Sequence, residues 1–149
     1  MRKIIRNADI AVTMNCACLN INNASRALTR YYNKALKPCG LSILQFNVLT
    51  LVSQDKSLTT ESLAHRLEYE RTAMSHAIRP LTQQGLIRSI QGADWRSRVI
   101  QLTAKGRRTL AKAMPYWQMA QQDVMEALGK RRFNYLLVNI ARYKNIGGE

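Results

Sequence analysis

The 149-residue sequence predicts a mainly α fold with one small β-hairpin. Three observations carry that expectation. Apolar residues recur at three- and four-residue steps along most of the chain. Two short β-branched runs, Leu86 to Ile90 and Val99 to Gln101, flank a loop holding Gly92 and Asp94. Pro38, Gly40, Gly85 and Gly129 punctuate the helical stretches.

The first helix is expected from about Asn15 to Lys37. Ile21, Ala24, Leu28, Tyr31, Tyr32, Ala35 and Leu36 form its apolar side, opposite Asn23, Arg26, Arg30 and Lys34. Ser42 suits an N-cap for a second helix to about Ser53. Its Leu44, Phe46, Val48, Leu49, Leu51 and Val52 leave little polar face, so it belongs in the interior. Thr59 caps a third helix through Leu67, with Glu61 near the positive end of its dipole. A fourth runs from about Arg71 to Gln84 and stops at Gly85.

After the hairpin, Thr103 caps a fifth helix through Leu128, and a sixth spans Arg131 to Tyr143. The fifth carries a seam of Leu110, Ala113, Met114, Trp117, Gln121, Val124 and Leu128 that wants another helix, and Pro115 should kink it. The tail from Asn145 to Glu149 is expected to fray.

Lys and Arg number 23 against 9 Asp and Glu, a formal net charge of +14, which points toward a polyanion or an acidic surface. The charge is concentrated. Between Arg79 and Lys112 eight bases face one acid, Asp94. Three cysteines without zinc-ribbon spacing favour a reducing compartment, and the protein is expected to be cytoplasmic. The apolar stretch from Ala8 to Ile21 is interrupted by Asp9, Asn15 and Asn20, so it reads neither as a signal peptide nor as the roughly 20 apolar residues that cross a bilayer.

In the fourth helix Arg71, Thr72, Ser75, His76 and Arg79 share one face, while Met74, Ala77, Ile78 and Leu81 share the other and should pack on Leu63, Ala64 and Leu67. Arg addresses guanine bidentately, and Thr and Ser reach phosphates or base edges, so this face suits a major groove. A solvated amphipathic surface helix is the plain alternative. The neighbouring hairpin decides between them: Arg96 and Arg98 near a slender tip suit a minor groove, and Asp94 is expected to orient an Arg. Together these elements outline a winged helix-turn-helix that binds duplex DNA.

The segment resembles the multiple-antibiotic-resistance regulator (MarR) family. The matching residues are Leu63-Ala64 with Leu67, Arg71-Thr72, Arg79-Pro80-Leu81, Gly85-Leu86-Ile87, Asp94 with Arg96-Ser97-Arg98, Leu102-Thr103 with Gly106, and Ala113-Met114-Pro115 with Trp117. The similarity runs from about Cys16 to Tyr143. It implies one domain over residues 1–149 and an intertwined helical homodimer. The dimerisation helices would lie at about 10–37 and 104–145, and the winged helix-turn-helix at about 42–103. It also implies a repressor that reads a pseudo-palindromic operator and is released by a small aromatic or phenolic molecule. Two departures stand out: Glu68 occupies a turn position where Gly is common, and Glu70 replaces a short capping residue.

Cys18, Ser25 and Tyr32 follow the spacing of the organic-hydroperoxide-sensing branch, in which oxidation of a first-helix thiol releases DNA. Tyr32 would donate to that thiol, but Ile43 stands where the branch has a second Tyr, with the non-donating Phe46 nearby. A buried structural cysteine is the alternative. Cys18, Tyr32 and Phe46 are therefore candidate effector or redox residues. Trp117 and Tyr116 are weighed between an effector cavity and ordinary packing. Metal binding by Cys16 and Cys18 is disfavoured, since helical residues two apart point about 200° apart.

No paired carboxylates, nucleophile elbow or Gly-rich phosphate loop suggest an enzyme, and no cofactor is expected. Two other readings follow from charge alone. One is a sequence-indifferent nucleic-acid binder; the other is a basic adaptor for an acidic protein.

Overall fold

A computed structural model describes residues 14–94, 96–144 and 146. The expected beginning of the first dimerisation segment near residue 10, Trp95 at the hairpin tip, and most of the tail lie outside the described residues. The described chain runs α1 (Ala17–Leu36), a 3-10 turn (Lys37–Cys39), α2 (Ile43–Gln54), α3 (Thr60–Leu67), α4 (Arg71–Gln83), β1 (Ile87–Gln91), β2 (Arg98–Leu102), α5 (Ala104–Leu128) and α6 (Lys130–Tyr143).

Local chemistry sets these boundaries. Ser42 accepts from the Gln45 N–H while the Gln45 side chain accepts from the Ser42 N–H, closing a capping box on α2. Thr59 and Ser62 do the same for α3. Pro38 enters the 3-10 turn and Gly40, at φ +67°, ends it. Glu68 follows α3 at φ +55°, the one described non-glycine residue in the left-handed region. Thr103 caps α5 through the Gly106 N–H. Helix α5 continues past Pro115 to Leu128.

Helix α2 lies in the middle of the core. Phe46, Val48, Leu49 and Val52 are buried there with Leu36, Leu58, Leu63, Met74, Leu81, Leu86, Ile87, Ile100 and Leu102. The first half of the α5 seam joins them, with Leu110 and Ala113 buried and Met114 and Trp117 packed alongside. Phe46 and Trp117 stack at 5.7 Å between ring centroids. Trp117 and Phe46 thus pack against each other at this core.

β1 and β2 pair antiparallel, with Ile87 opposite Leu102 and Gln91 opposite Arg98. A single backbone bond from the Ile100 N–H to the Leu58 carbonyl, at 2.8 Å, ties the segment before α3 to the hairpin. The hairpin is therefore anchored at the middle of β2 on the same lobe that carries α3 and α4.

Helices α1 and α6 are different. Leu19, Ile21, Leu28 and Tyr31 of α1, and Tyr135, Leu136, Leu137 and Val138 of α6, are exposed. Such an apolar surface on amphipathic helices is unusual for a solitary chain. Two side-chain bonds tie α1 to α5: Tyr31 donates to Asp123 and Tyr32 to Gln121. No single helix among the described residues is long and apolar enough to cross a membrane. The pair α1 and α2 passes on length and composition only with a 69° bend, and α2 is core.

Candidate nucleic-acid interface

Helix α4 has two sides, as its spacing requires. Met74 and Leu81 are fully buried and Ile78 packs against the same core, whereas Arg71, Thr72, Ser75, His76 and Arg79 are all exposed. These five exposed residues alone line one shallow cleft of about 320 Å³. No acidic residue lines it. The Ser75 hydroxyl donates to the Arg71 carbonyl at 3.0 Å, leaving its lone pairs available as acceptors.

The two ends of the helix differ. Glu70 is its N-cap but makes no side-chain capping bond, so the first-turn N–H groups receive nothing from it. At the other end Lys105 donates to the Gln84 carbonyl at 2.7 Å, where a cation complements the helix dipole. Pro80 lies inside the helix and has no N–H to offer the His76 carbonyl.

At the hairpin, Asp94 organises the tip. Its carboxylate accepts the Arg96 backbone N–H at 3.1 Å, and its carbonyl accepts both the N–H and the hydroxyl of Ser97, each at 2.9 Å. Asp94 therefore positions Arg96 through the main chain. A Cβ at Gly92 would lie 2.2 Å from Ser97 Oγ, so a side chain there would force the Ser97 hydroxyl away from its bond to the Asp94 carbonyl. Arg98 is exposed but folds across the hairpin, donating from Nε to Ser89 Oγ at 3.3 Å and from Nη2 to the Ser89 carbonyl at 3.4 Å. Arg96 stands at the tip and Arg98 at the first position of β2, so the two are not equivalent.

The effector and redox candidates do not converge within the chain. Cys18 and Tyr32 are fourteen residues apart on one continuous helix, about 21 Å along its axis. Cys18 is exposed, not buried, and its sulfur accepts from Asn22 Nδ2 at 3.4 Å. Tyr32 instead donates to Gln121, and half-burial raises its phenol pKa.

Several residues with structural roles went unread. Ser62 and Gln45 complete capping boxes, a pattern present in the sequence as Thr-x-x-Ser and Ser-x-x-Gln. Asn33 accepts the Ile43 N–H at 2.7 Å, joining α1 to the start of α2. Lys144 pairs with Glu68 at 2.6 Å, linking the end of α6 to the turn before α4. No local pattern announces a contact between residues so far apart in sequence.

Residues 41–96 match the MarR family. Among solved structures, the M. tuberculosis transcriptional regulator MosR in complex with DNA is 35% identical, with a TM-score of 0.76 over 89% of this chain and 98% of that one. The transcriptional repressor CouR bound to a 23-mer DNA duplex is 25% identical, with a TM-score of 0.80 over 89% of this chain and 94% of that one. An HTH-type transcriptional regulator of Bacillus cereus is 29% identical over 97 residues, 65% of this chain and 63% of the relative. The chain thus spans less than two thirds of the length of the curated relatives it matches. The exposed face on α4, the hairpin beside it and the near-complete MosR match agree: this chain is a member of the MarR family of winged helix-turn-helix transcriptional regulators.

Proposed function

We propose that the protein is a cytoplasmic, sequence-specific repressor that binds a pseudo-palindromic DNA operator as a homodimer. The observation that carries this reading is the α4 cleft, where Arg71, Thr72, Ser75, His76 and Arg79 stand together with no acid among them. Arg71 and Arg79 address base edges, Thr72, Ser75 and His76 contact phosphates or bases, and Arg96 and Arg98 follow the flanking groove.

The exposed apolar residues of α1 and α6 support dimerisation, because pairing would remove Leu28, Leu136 and Val138 from water. Two α4 helices must then be presented about 34 to 36 Å apart, one turn of DNA. An aromatic or phenolic effector that alters this separation costs contacts in both half-sites at once. CouR, a structural relative, is also known bound to p-coumaroyl-CoA.

Fragments selected from genomic DNA, followed by titration of the bound duplex, test the reading. Arg71→Ala should lose about 5- to 150-fold at one base position, the range of a bidentate contact. Arg96→Ala should weaken all duplexes together and lower the salt slope by about 1. Unchanged affinity in both variants would dismiss the interface. A sequence-indifferent binder would show no preferred fragment at any salt concentration.

A second reading, thiol sensing at Cys18, is favoured by that side chain's exposure and by its Asn22 donor. Peroxide should then release DNA from the wild type and not from Cys18→Ser.

A further inference from the structure

We propose that the concavity at the root of the wing is a binding site for a small organic phosphate. It measures about 480 Å³, within the range of small-ligand sites, and shares no residue with the α4 cleft. Lys56 after α2, Arg88 on β1 and Arg107 on α5 all line it, and no acid does. Three cations from separate segments in one hollow repel each other until an anion arrives.

Their surroundings leave them available. The two ion pairs among the described residues, Arg66 with Asp55 and Lys144 with Glu68, include none of the three. Asp55 adjoins Lys56 in sequence, but its carboxylate is occupied by Ser57 and Arg66. Arg107 is steadied by donating to the Leu102 carbonyl at 3.2 Å, and Arg88 by donating to Gln101 at 3.4 Å. Each guanidinium keeps further N–H groups for a ligand, and less ordering remains to be done on binding. Ser53 and Thr103 add hydroxyls, while buried Val52 and Leu102 form an apolar floor. A multiply charged phosphate satisfies the cations, and the remaining volume and floor suit an organic group.

The site stands whether or not α4 reads DNA. The test uses the full-length protein with adenosine monophosphate as probe, adenosine as the uncharged control, and NaCl to match ionic strength. Calorimetry and backbone amide NMR are the readouts. Saturable binding of the monophosphate, with shifts clustered at Ser53, Gln101 and Ala104 and none from adenosine, is expected. The dissociation constant should rise at least tenfold in Lys56→Gln/Arg107→Gln and at least threefold in Lys56→Gln, a single change at an exposed loop position. Arg71→Ala should bind the probe as the wild type does. Unsaturable shifts scattered over the basic surface, or equal binding by the double variant, would overturn the site. So would a double variant whose only deficit is weaker DNA binding with a lower salt slope, because the phosphates would then be those of the duplex. Failure of the DNA reading would appear separately, in the Arg71→Ala DNA titration.

Discussion

Gly106 on α5 lies so close to Leu86 at the root of the wing that a Cβ built on it would sit 1.9 Å from the Leu86 carbonyl oxygen. The same carbonyl accepts the Thr103 N–H at 3.0 Å, and the Thr103 hydroxyl bonds the Gly85 carbonyl at 2.6 Å. The start of the long helix is thus pinned to the end of the DNA-binding lobe through backbone atoms that cannot swing aside. Gly106→Ala must separate them. The expected cost is about 1–3 kcal/mol, the usual range for overpacking, or a fall in Tm of about 2–4 °C per kcal/mol for a chain of this size. Thermal unfolding of the variant with an unchanged Tm would show that the contact is not tight.

Glu68 supplies a second backbone test. At φ +55° its side chain costs about 1–2 kcal/mol relative to glycine, offset by the roughly 0.4–1 kcal/mol that glycine loses through a freer unfolded chain. Glu68→Gly should therefore be more stable than Glu68→Ala by about 1 kcal/mol, the reverse of the order in a helix interior. Urea unfolding of the pair decides it. Glu68→Gln removes only the exposed ion pair with Lys144 and should change stability by less than about 1 kcal/mol.

How far the sequence could be read follows from the range of each interaction. Helices α2 to α5 were legible because caps and apolar spacing are local: Ser42, Thr59 and Thr103 cap where their residue type and position require. The strands were found one residue off at their ends, since register is fixed by the partner strand, with Gln91 opposite Arg98. The α4 face was legible for the same periodic reason. Cys18 and Tyr32 lie two heptads apart on one helix, a spacing that places them on one side without bringing them together within one chain. The wing-root cavity was invisible, since Lys56, Arg88 and Arg107 are neighbours only after the α2, β1 and α5 segments pack.

Tyr31 gives a pH dependence. Its hydroxyl donates to Asp123 at 2.6 Å, and that bond chiefly raises the phenol above its ordinary 10.0, with desolvation and the Asp123 charge adding to it. The neutral phenol is the favoured form in the fold. Its contribution is complete below the unfolded-state pKa and is lost as pH rises through the higher folded-state pKa. Tyr31→Phe should therefore be less stable than the wild type at about pH 8, with the difference shrinking above about pH 10. Denaturant unfolding at a series of pH values reads the difference. A gap that stays constant across that range would assign the role to packing alone.

The wing offers the sharpest separation of charge from geometry. Asp94 adds a negative charge to a basic hairpin, so on electrostatics alone its removal should strengthen DNA binding. Its bond to the Arg96 N–H at 3.1 Å opposes that expectation, because the turn presenting Arg96 depends on an acceptor at this position. Losing one such bond costs about 0.5–1.5 kcal/mol, which becomes a two- to twelvefold loss of affinity if the tip must be ordered to bind. Asp94→Asn keeps the acceptor and discards the charge, so it should bind DNA at least as tightly as the wild type. Asp94→Ala discards both and should bind more weakly, with a faster dissociation rate. If the alanine variant instead binds as tightly as the asparagine variant, the acceptor is dispensable and Asp94 does not position Arg96.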